Sequence, residues 1–196
     1  MATRRDTQRE RTRERLYVTS MRLFLKKGYE AVNVDDIVRA SRVARGTFYF
    51  HFPTKDDVLF EAVRRGEGRI LEALQKARTK PLRRALAAAV GAFADEWKDQ
   101  RELWPHAGAV ALKRIGADEA GRANDPLRVA LKEAFTRAID GGDVRSTLPA
   151  QMLADVFLLN VFAALMAWSA TGEPALSVVL PGVVELFLRG AEGVGS

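Results

Sequence analysis

The sequence contains no cysteine, and this absence excludes several kinds of chemistry. Without thiols, the 196 residues cannot form a disulfide, a thiolate metal site or a catalytic cysteine. Only two histidines are present, His51 and His106, so a zinc enzyme is not expected. We also find no pairing of carboxylates and no nucleophile beside a base. The sequence therefore predicts a protein that is not an enzyme and that needs no metal or cofactor.

A signal peptide and a convincing membrane span are also missing from the sequence. The N-terminus is rich in arginine and is not followed by the apolar stretch of a secretory signal. The most apolar region, residues 152–168, contains Asp155 and Asn160, and we interpret it as a buried helix. The composition, 47% apolar and 29% charged, is typical of a globular protein. We therefore expect a cytoplasmic location.

The excess positive charge lies almost entirely near the N-terminus. Residues 1–55 contain 13 Lys and Arg against 6 Asp and Glu, a balance of +7, within a total net charge of +6. The remaining 141 residues contain 18 and 19, a balance of −1. A basic surface that served only solubility would spread its charge more evenly. The asymmetry therefore indicates that the N-terminal region meets phosphate groups.

Residues 33–57 have the pattern of a helix-turn-helix followed by the start of another helix. Asn33 is a suitable N-cap, and two aspartates follow it in the first turn, where carboxylates complement the helix dipole. Pro53 ends the second helix, and residues 54–57 have the spacing of a capping box. The second helix is short and carries basic, hydroxyl and aromatic side chains. Such a helix is typical of one that enters a DNA groove.

The whole chain is predicted to be all-α, because no stretch alternates as a strand would. Outside the helix-turn-helix, proline, glycine and periodicity place helices near residues 7–27, 55–78, 82–102, 104–115, 124–140, 149–170 and 174–190. Residues 1–6 are expected to form a disordered basic arm, and residues 193–196 a disordered end.

The run Gly46-Thr47-Phe48-Tyr49, followed by His51-Phe52-Pro53 and Lys55, resembles the signature of tetracycline-repressor-like (TetR-type) transcriptional regulators. The resemblance covers about residues 10–62. It implies a three-helix DNA-binding domain over residues 1–54 and a helical bundle over residues 55–196, connected by helix 55–78. The bundle would bind an effector and form a homodimer. The implied function is a ligand-responsive regulator, most often a repressor, which a small molecule releases from a palindromic operator.

Two positions depart from the family pattern. Arg42 stands where the family usually has glycine, so a left-handed conformation there would cost about 1 kcal/mol. Ala44 stands where serine or threonine usually caps the recognition helix, and losing that cap removes about 1 kcal/mol. We expect operator contacts that differ in detail, with the same fold.

Eight residues in and around the recognition helix are predicted to contact DNA. They are Asn33, Arg45, Thr47, Phe48, Tyr49, Phe50, His51 and Lys55. Arg45 is the best candidate for reading a guanine, with a phosphate contact or a solvated charge as the alternative. Phe50 could touch a thymine methyl group, whereas the pattern also assigns Phe48 to the core. Lys55 resembles the lysine that grips the phosphate backbone in this family. Arginines of the N-terminal arm could reach a minor groove or remain solvated: Arg4, Arg5, Arg9, Arg11 and Arg13.

Two further groups of residues are assigned to the C-terminal bundle. The predicted effector pocket contains Phe93, Trp97, Trp104, His106, Val110, Phe135, Phe157 and Asn160, although most aromatics of a bundle are simply core. Their chemistry suits an apolar or aromatic effector. The predicted dimer interface contains Leu165, Trp168, Val179, Val183, Leu186 and Phe187. Gly66 and Gly68 weaken the connecting helix, either as a hinge or because of close packing.

The sequence leaves two functional alternatives open. One is a DNA-binding protein without a small-molecule switch, which would lack an enclosed pocket. The other is an activator in place of a repressor.

Overall fold

The computed structural model describes residues 4–117 and 125–192, which form nine α-helices, one short 3₁₀ helix and, within these ranges, no strand. The helices are α1 (Arg4–Lys27), α2 (Val34–Ser41), α3 (Arg45–His51), α4 (Lys55–Lys76), α5 (Leu82–Trp97), α6 (Trp104–Ala117), α7 (Pro126–Asp140), α8 (Ala150–Thr171) and α9 (Leu176–Glu192). The prediction of an all-α chain is confirmed for these residues. Most of the predicted gap between helices 104–115 and 124–140, and the predicted disordered end at residues 193–196, lie outside them.

The first helix is longer than predicted. α1 already begins at Arg4, so the prediction of a disordered arm is wrong for residues 4–6. The physical reason is that these residues are compatible with a helix, and Asp6 places a carboxylate in the first turn. In the second region, α5 ends at Trp97 instead of residue 102, and a 3₁₀ turn at Arg101–Leu103 leads into α6.

Local signals fix the ends of the helix-turn-helix. Asn33 and Asp36 form a complete capping box at the start of α2, and Thr54 and Asp57 form another at α4. Arg42 adopts the left-handed conformation, with φ of 54°, that is predicted for the turn between α2 and α3. As expected, no side chain caps α3 at Ala44. The chain thus enters α3 through a residue whose conformation costs about 1 kcal/mol.

The N-terminal core lies where α1, α2, α3 and the start of α4 meet. Its fully buried side chains are Leu16, Phe24, Ile37, Phe48, Phe52, Val58 and Leu59. Ion pairs then join α1 to α4: Arg13 contacts Glu61 at 2.7 Å, and Arg65 contacts Glu14 at 2.5 Å. The hydrogen bond from Arg65 lowers the pKa of the Glu14 carboxyl. These contacts hold the helix-turn-helix against the helix that leads into the second region.

The C-terminal bundle is built around α4, α5 and α8. α5 packs between α4 and α9, and α8 contacts α6, α7 and α9. α4 and α5 approach closely at Gly66, where an added Cβ would lie 2.9 Å from Trp97 Nε1. This geometry supports the close-packing explanation for Gly66. At Gly68, a Cβ would meet nothing within 4 Å.

α8 is the one helix, among the residues described, that is long and apolar enough to cross a membrane. A core helix passes the same test of length and composition. Leu153, Ala154, Phe157, Leu165 and Trp168 point from α8 into the bundle core. α8 also contacts three other helices, so we describe it as part of the bundle.

Candidate nucleic-acid interface

α3 has a buried side and an exposed side. Phe48, His51 and Phe52 face inward, and none of them is more than 8% exposed. Tyr49 and Phe50 face outward with 42% and 64% exposure, and the Arg45 side chain is 59% exposed. A large apolar side chain that points into water from a short basic helix suits contact with another molecule. The exposed side of α3 is therefore available for contact with another molecule.

Arg45 is held by two neighbours on this surface. Its Nη1 atom lies 2.7 Å from Oδ1 of Asp35 in α2, and its Nη2 atom donates to the Tyr49 hydroxyl at 3.4 Å. The guanidinium carbon is also 5.8 Å from the centre of the Tyr49 ring. The side chain proposed to read a base thus has a defined position before any DNA is present.

Phe50 extends the surface towards the first helix. The Arg9 guanidinium lies 4.9 Å from the centre of the Phe50 ring, a cation–π contact. A cavity of about 390 Å³ separates α1 from α3 at this point and is lined by Asp6, Arg9, Glu10, Arg13, Phe50 and His51. Two arginines, two carboxylates and an exposed aromatic ring therefore border this recess, so its charges are balanced.

His51 contributes less to this surface than its sequence position suggests. The side chain is 8% exposed, and burial, with Arg13 and Arg9 nearby, lowers the pKa of the imidazole. A neutral, nearly buried imidazole is a weak partner for phosphate. The backbone carbonyl of His51 accepts a hydrogen bond from Arg13 Nη1 at 2.9 Å. The histidine therefore helps to join α3 to α1.

Lys55 and Asn33 make intramolecular contacts at the edge of the surface. Lys55 Nζ donates to the carbonyls of Tyr29 and Val32, at 2.9 and 3.0 Å, and lies 4.0 Å from the centre of the Tyr29 ring. Asn33 is exposed, and its side-chain oxygen accepts from the backbone N–H of Asp36. Both residues complete the turn between α1 and α2. Their contact with DNA stays a prediction.

The remaining residues predicted to contact DNA differ in how exposed their side chains are. Phe48 is 0% exposed, so we correct its place in the predicted set: the ring fills the core and has no surface for DNA. Thr47 is half-buried at the edge of the exposed side. Arg13 is occupied by Glu61 and stacks 4.6 Å from the centre of the Phe52 ring, so it is internal to the fold. The other four arginines predicted for the arm are exposed on α1: Arg4, Arg5, Arg9 and Arg11.

The structure separates the aromatic residues of the predicted effector pocket into two groups. Phe93, Trp97 and Trp104 contact one another, with ring centres 5.0 to 6.1 Å apart. Phe135 and Phe157 form a second group. No ring contact joins these two groups within the described residues. Val110, the aliphatic residue of the predicted pocket, is buried with 7% of its surface exposed. The aromatic residues thus belong to two parts of the core, so they do not line one common pocket.

His106 and Asn160 make polar contacts of their own. His106 stacks on Tyr29 with ring centres 4.8 Å apart, and its Nδ1 atom lies 3.4 Å from Glu30 Oε1. It therefore connects α6 to the turn after α1. Asn160 is exposed, and its amide donates to the carbonyl of Val156 at 2.7 Å. We expected a partner for Asn160 inside the bundle; its partner is the backbone of its own helix.

The predicted dimer residues also divide by exposure. Leu165 and Trp168 are 2% and 5% exposed and lie in the core of a single chain, which leaves them no surface for a partner. Val179, Val183 and Phe187 are half-buried, whereas Leu186 is 74% exposed. The exposed apolar side chains of α8 and α9 are Met152, Val156, Leu159, Met166, Val178 and Leu186. We call this set the outer face of α8 and α9.

Sequence reasoning missed Asp35 and most of the outer face. Asp35 was explained by the helix dipole alone, and its contact with Arg45 depends on the angle between α2 and α3. The outer face had a signal, because Met152, Val156, Leu159 and Met166 recur at spacings of four, three and seven residues. The α8 residues predicted for the dimer interface, Leu165 and Trp168, lie instead on the opposite side of α8, which faces the core.

The chain is similar to known proteins mainly in the region of this surface. Residues 16–62 match the model of a family described as bacterial regulatory proteins, tetR family. The HTH-type transcriptional regulator YerO of Bacillus subtilis is 29% identical over 95 residues, which are 46% of this chain and 33% of that protein. The chain thus matches about a third of the length of this relative. EthR of Mycobacterium tuberculosis is 27% identical over 183 residues, covering 83% of this chain and 78% of EthR.

A solved structure shows that the likeness of fold extends to the bundle. FadR of Thermus thermophilus, a transcriptional repressor in complex with lauroyl-CoA, superposes with a TM-score of 0.67 over 91% of this chain and 94% of FadR. At 20% identity, this likeness concerns the fold alone. The family match concerns residues 16–62, which include α2, α3 and the start of α4, so the chain resembles the tetR family of bacterial regulatory proteins in this region.

Proposed function

We propose that the protein is a homodimeric regulator of transcription that binds a palindromic DNA operator through α3. The observation that carries the proposal is the exposed side of α3, where Arg45, Tyr49 and Phe50 point outward from a buried Phe48 and Phe52. A guanidinium and an aromatic ring on one short helix suit a guanine edge and a thymine methyl group. The +7 balance of residues 1–55 supplies attraction to the phosphates.

A second copy of the chain is the proposed partner of the outer face of α8 and α9. Leu159 and Leu186 are 63% and 74% exposed there, and Val178 is 61% exposed. Apolar side chains grouped on two adjacent helices favour association with an equally apolar surface. A two-fold axis through this face would present two copies of α3 to successive major grooves.

The proposed effector site lies in the bundle, where Trp104 contacts Phe93 and Trp97. The indole Nε1 of Trp104 is buried without a hydrogen-bond acceptor in the part of the chain that the structure describes. An apolar effector with an acceptor oxygen would satisfy this N–H. FadR, which has a similar fold, binds lauroyl-CoA, a molecule with a long apolar acyl chain on a charged coenzyme A group. The same proposal includes repression of transcription, which ends when the effector releases the protein from DNA. It also includes a cytoplasmic location.

DNA selection from a random duplex pool tests the first part of the proposal. The wild-type protein should enrich a palindromic sequence and shift it in a gel near physiological salt with excess competitor DNA. Arg45→Ala and Phe50→Ala should weaken binding to that sequence. Lys80→Ala is the matched control, because it removes one exposed positive charge outside the N-terminal region. Equal binding by all four proteins, or no enriched sequence, would contradict specific recognition by α3.

Light scattering tests the homodimer. The wild-type chain should have twice the monomer mass, and Leu159→Glu combined with Leu186→Glu should give monomers. Leu25→Glu, at a 42% exposed leucine of α1, is the control and should leave the mass unchanged. A dimer that survives the paired substitution would place the interface elsewhere.

Tryptophan fluorescence separates the ligand-responsive regulator from a DNA-binding protein without a switch. All three tryptophans lie in the second region, so their emission reports on the bundle alone. Lauroyl-CoA is a suitable first probe, followed by smaller aromatic acids. A probe that changes the emission and releases the operator supports the switch. Probes that change the emission and leave the DNA bound would favour the alternative. A reporter gene then distinguishes a repressor from an activator.

A further inference from the structure

The contact between Asp35 and Arg45 has no evident structural purpose. Both side chains are more than half exposed, at 55% and 59%, although Oδ1 and Nη1 are 2.7 Å apart. Exposed ion pairs contribute little to folding stability. The start of α2 also does not depend on the pair of Asp35 and Arg45, because the capping box of Asn33 and Asp36 already fixes it. The pair therefore calls for an explanation in the surface on which it lies.

The contact restricts the most flexible side chain of the proposed DNA interface. Asp35 holds one terminal nitrogen of the Arg45 guanidinium, and the Tyr49 hydroxyl, at 3.4 Å, holds the other. Two anchors on different nitrogens fix the plane of the group as well as its position. A guanidinium has five N–H donors, and these contacts use two of them. Three donors remain, and a guanine edge requires two.

The charge of Asp35 argues against a role in attracting DNA. Residues 1–55 carry a balance of +7, and the exposed carboxylate of Asp35 lies on the same surface as Arg45. A negative charge there repels phosphate and reduces binding to every DNA sequence equally. Because the carboxylate fixes the position of the Arg45 guanidinium, it strengthens binding only to DNA that has the preferred base at that place. These opposite effects raise the ratio of specific to non-specific binding.

We infer that Asp35 is a specificity-determining residue, which positions Arg45 so that its guanidinium discriminates a guanine in the operator. The inference rests on the proposed function, since it requires α3 to bind DNA. Asp35 acts through Arg45, so its removal should change base preference more than total affinity. It should also increase binding to unrelated DNA.

The experiment uses the full-length chain and compares the wild type with Asp35→Ala, Asp35→Glu, Arg45→Ala and the double variant of both alanines. Each protein binds the DNA selected by the wild type and duplexes in which one base pair at a time is changed. Glu10→Gln is the control, since it removes a carboxylate that lines the recess beside Phe50 and His51. Thermal unfolding is measured for every variant, so that loss of folding is recognised.

The expected result is a change at one base pair. A well-formed pair of hydrogen bonds from arginine to guanine corresponds to roughly 5- to 150-fold discrimination, so Asp35→Ala should reduce the preference at that position by about five-fold or more. Binding to unrelated DNA should increase. Asp35→Glu should restore most of the preference. Asp35→Ala should have no further effect on base preference once Arg45 is already alanine.

Three results would overturn the inference. In the first, Asp35→Ala changes affinity for all duplexes by one common factor, as Glu10→Gln would. In the second, base preference changes equally in the Arg45→Ala background, which would mean that Asp35 contacts a base directly. In the third, Asp35→Ala lowers the unfolding temperature and Asp35→Glu does not restore specificity. A wild-type protein that selects no sequence would instead contradict the proposed function itself.

Discussion

The short helices around the turn of the N-terminal region and the long helices of the bundle differ in what fixes them. Complete capping boxes at Asn33 and Thr54 begin α2 and α4, although α3 begins at Ala44 without a side-chain cap. In the bundle, Asp125 caps α7, whereas α5 and α8 begin after Pro81 and Pro149 without any side-chain cap. Caps therefore fix the starts of α2 and α4, whereas packing of large side chains stabilises the long helices α5 and α8.

This difference has a functional meaning. A helix-turn-helix must hold a few side chains at fixed positions on its surface, and local caps do this with few residues. The long helices of the bundle are instead stabilised by the interior that they share, so substitutions there should act through packing. The four predictions below test this contrast between the two regions, from the largest expected effect to the smallest.

Phe48 and Phe50 should show that buried and exposed sides of α3 have separate roles. Phe48→Ala removes a fully buried ring and should lower the free energy of unfolding by about 3–5 kcal/mol. Phe50→Ala, at 64% exposure, should change it by about 0.5 kcal/mol or less. Urea unfolding followed by circular dichroism measures both. A large loss of stability in Phe50→Ala would show that the exposed side is also structural.

Glu67 in α4 tests whether the second region tolerates an acidic group that does not fit its surroundings. Burial and the nearby carboxylate of Asp125 raise the pKa of its carboxyl from 4.5 to about 7, although the positive charge of Arg64 opposes this shift. Since the folded state then binds more protons than the unfolded state, stability falls as the pH rises from about 4.5 to 7. Above pH 7, the full penalty is present and amounts to at most about 3 kcal/mol.

Glu67→Gln should remove this penalty. The variant should be more stable than the wild type at pH 8 and equally stable at pH 4, as measured by urea unfolding. Glu72→Gln is the control, because its partly paired carboxylate is 71% exposed on the same helix. A difference between wild type and Glu67→Gln that is independent of pH would mean that the carboxyl titrates normally.

Lys55 tests whether the turn between α1 and α2 depends on local bonds. Lys55→Met keeps the length of the side chain and removes two charge-assisted hydrogen bonds to the carbonyls of Tyr29 and Val32. The loss should be about 2 kcal/mol of unfolding free energy. If Lys55 instead serves mainly to bind phosphate, stability will be unchanged and the slope of log affinity against log salt will fall by about 0.9. Comparing the two measurements assigns the lysine to the fold or to DNA.

The sequence alone predicted the order of the helices and many of their ends, but it did not predict the contacts within the site. The caps at Asn33 and Thr54, the end of α3 at Pro53 and the left-handed Arg42 could be predicted because each depends on a few adjacent residues. The contact of Asp35 with Arg45 could not, since it requires the crossing angle of two helices. Exposure of the α8 residues depends in the same way on which neighbours cover them.

The aromatic residues of the bundle show the same limit in another form. Trp97 and Phe135 are both large, apolar and placed on helices, so composition could not separate them into two groups. Only the packing of α5 against α4 reveals that Trp97 lies over Gly66. A glycine within a helix has two explanations in a sequence, flexibility or close approach. The structure shows a close approach at Gly66 and none at Gly68.

Gly66 and Gly68 provide the smallest effects and the most direct test of packing in the second region. Replacing a glycine inside a helix with alanine gains about 1 kcal/mol of helix propensity. At Gly68, the new methyl group would meet nothing within 4 Å, so Gly68→Ala should stabilise the protein by about 0.5–1 kcal/mol.

At Gly66, the methyl group would lie 2.9 Å from a ring atom of the buried Trp97, and overpacking of this kind costs about 1–3 kcal/mol. This cost should exceed the gain in propensity, so Gly66→Ala should be less stable than the wild type by up to about 2 kcal/mol and should change the emission of Trp97. The opposite signs distinguish packing from a hinge. A hinge would make both variants more stable while both impair release of DNA by an effector. Stabilisation by both substitutions, with unchanged tryptophan emission, would therefore show that α4 and α5 can separate at Gly66, and the bundle would be less closely packed than its contacts indicate.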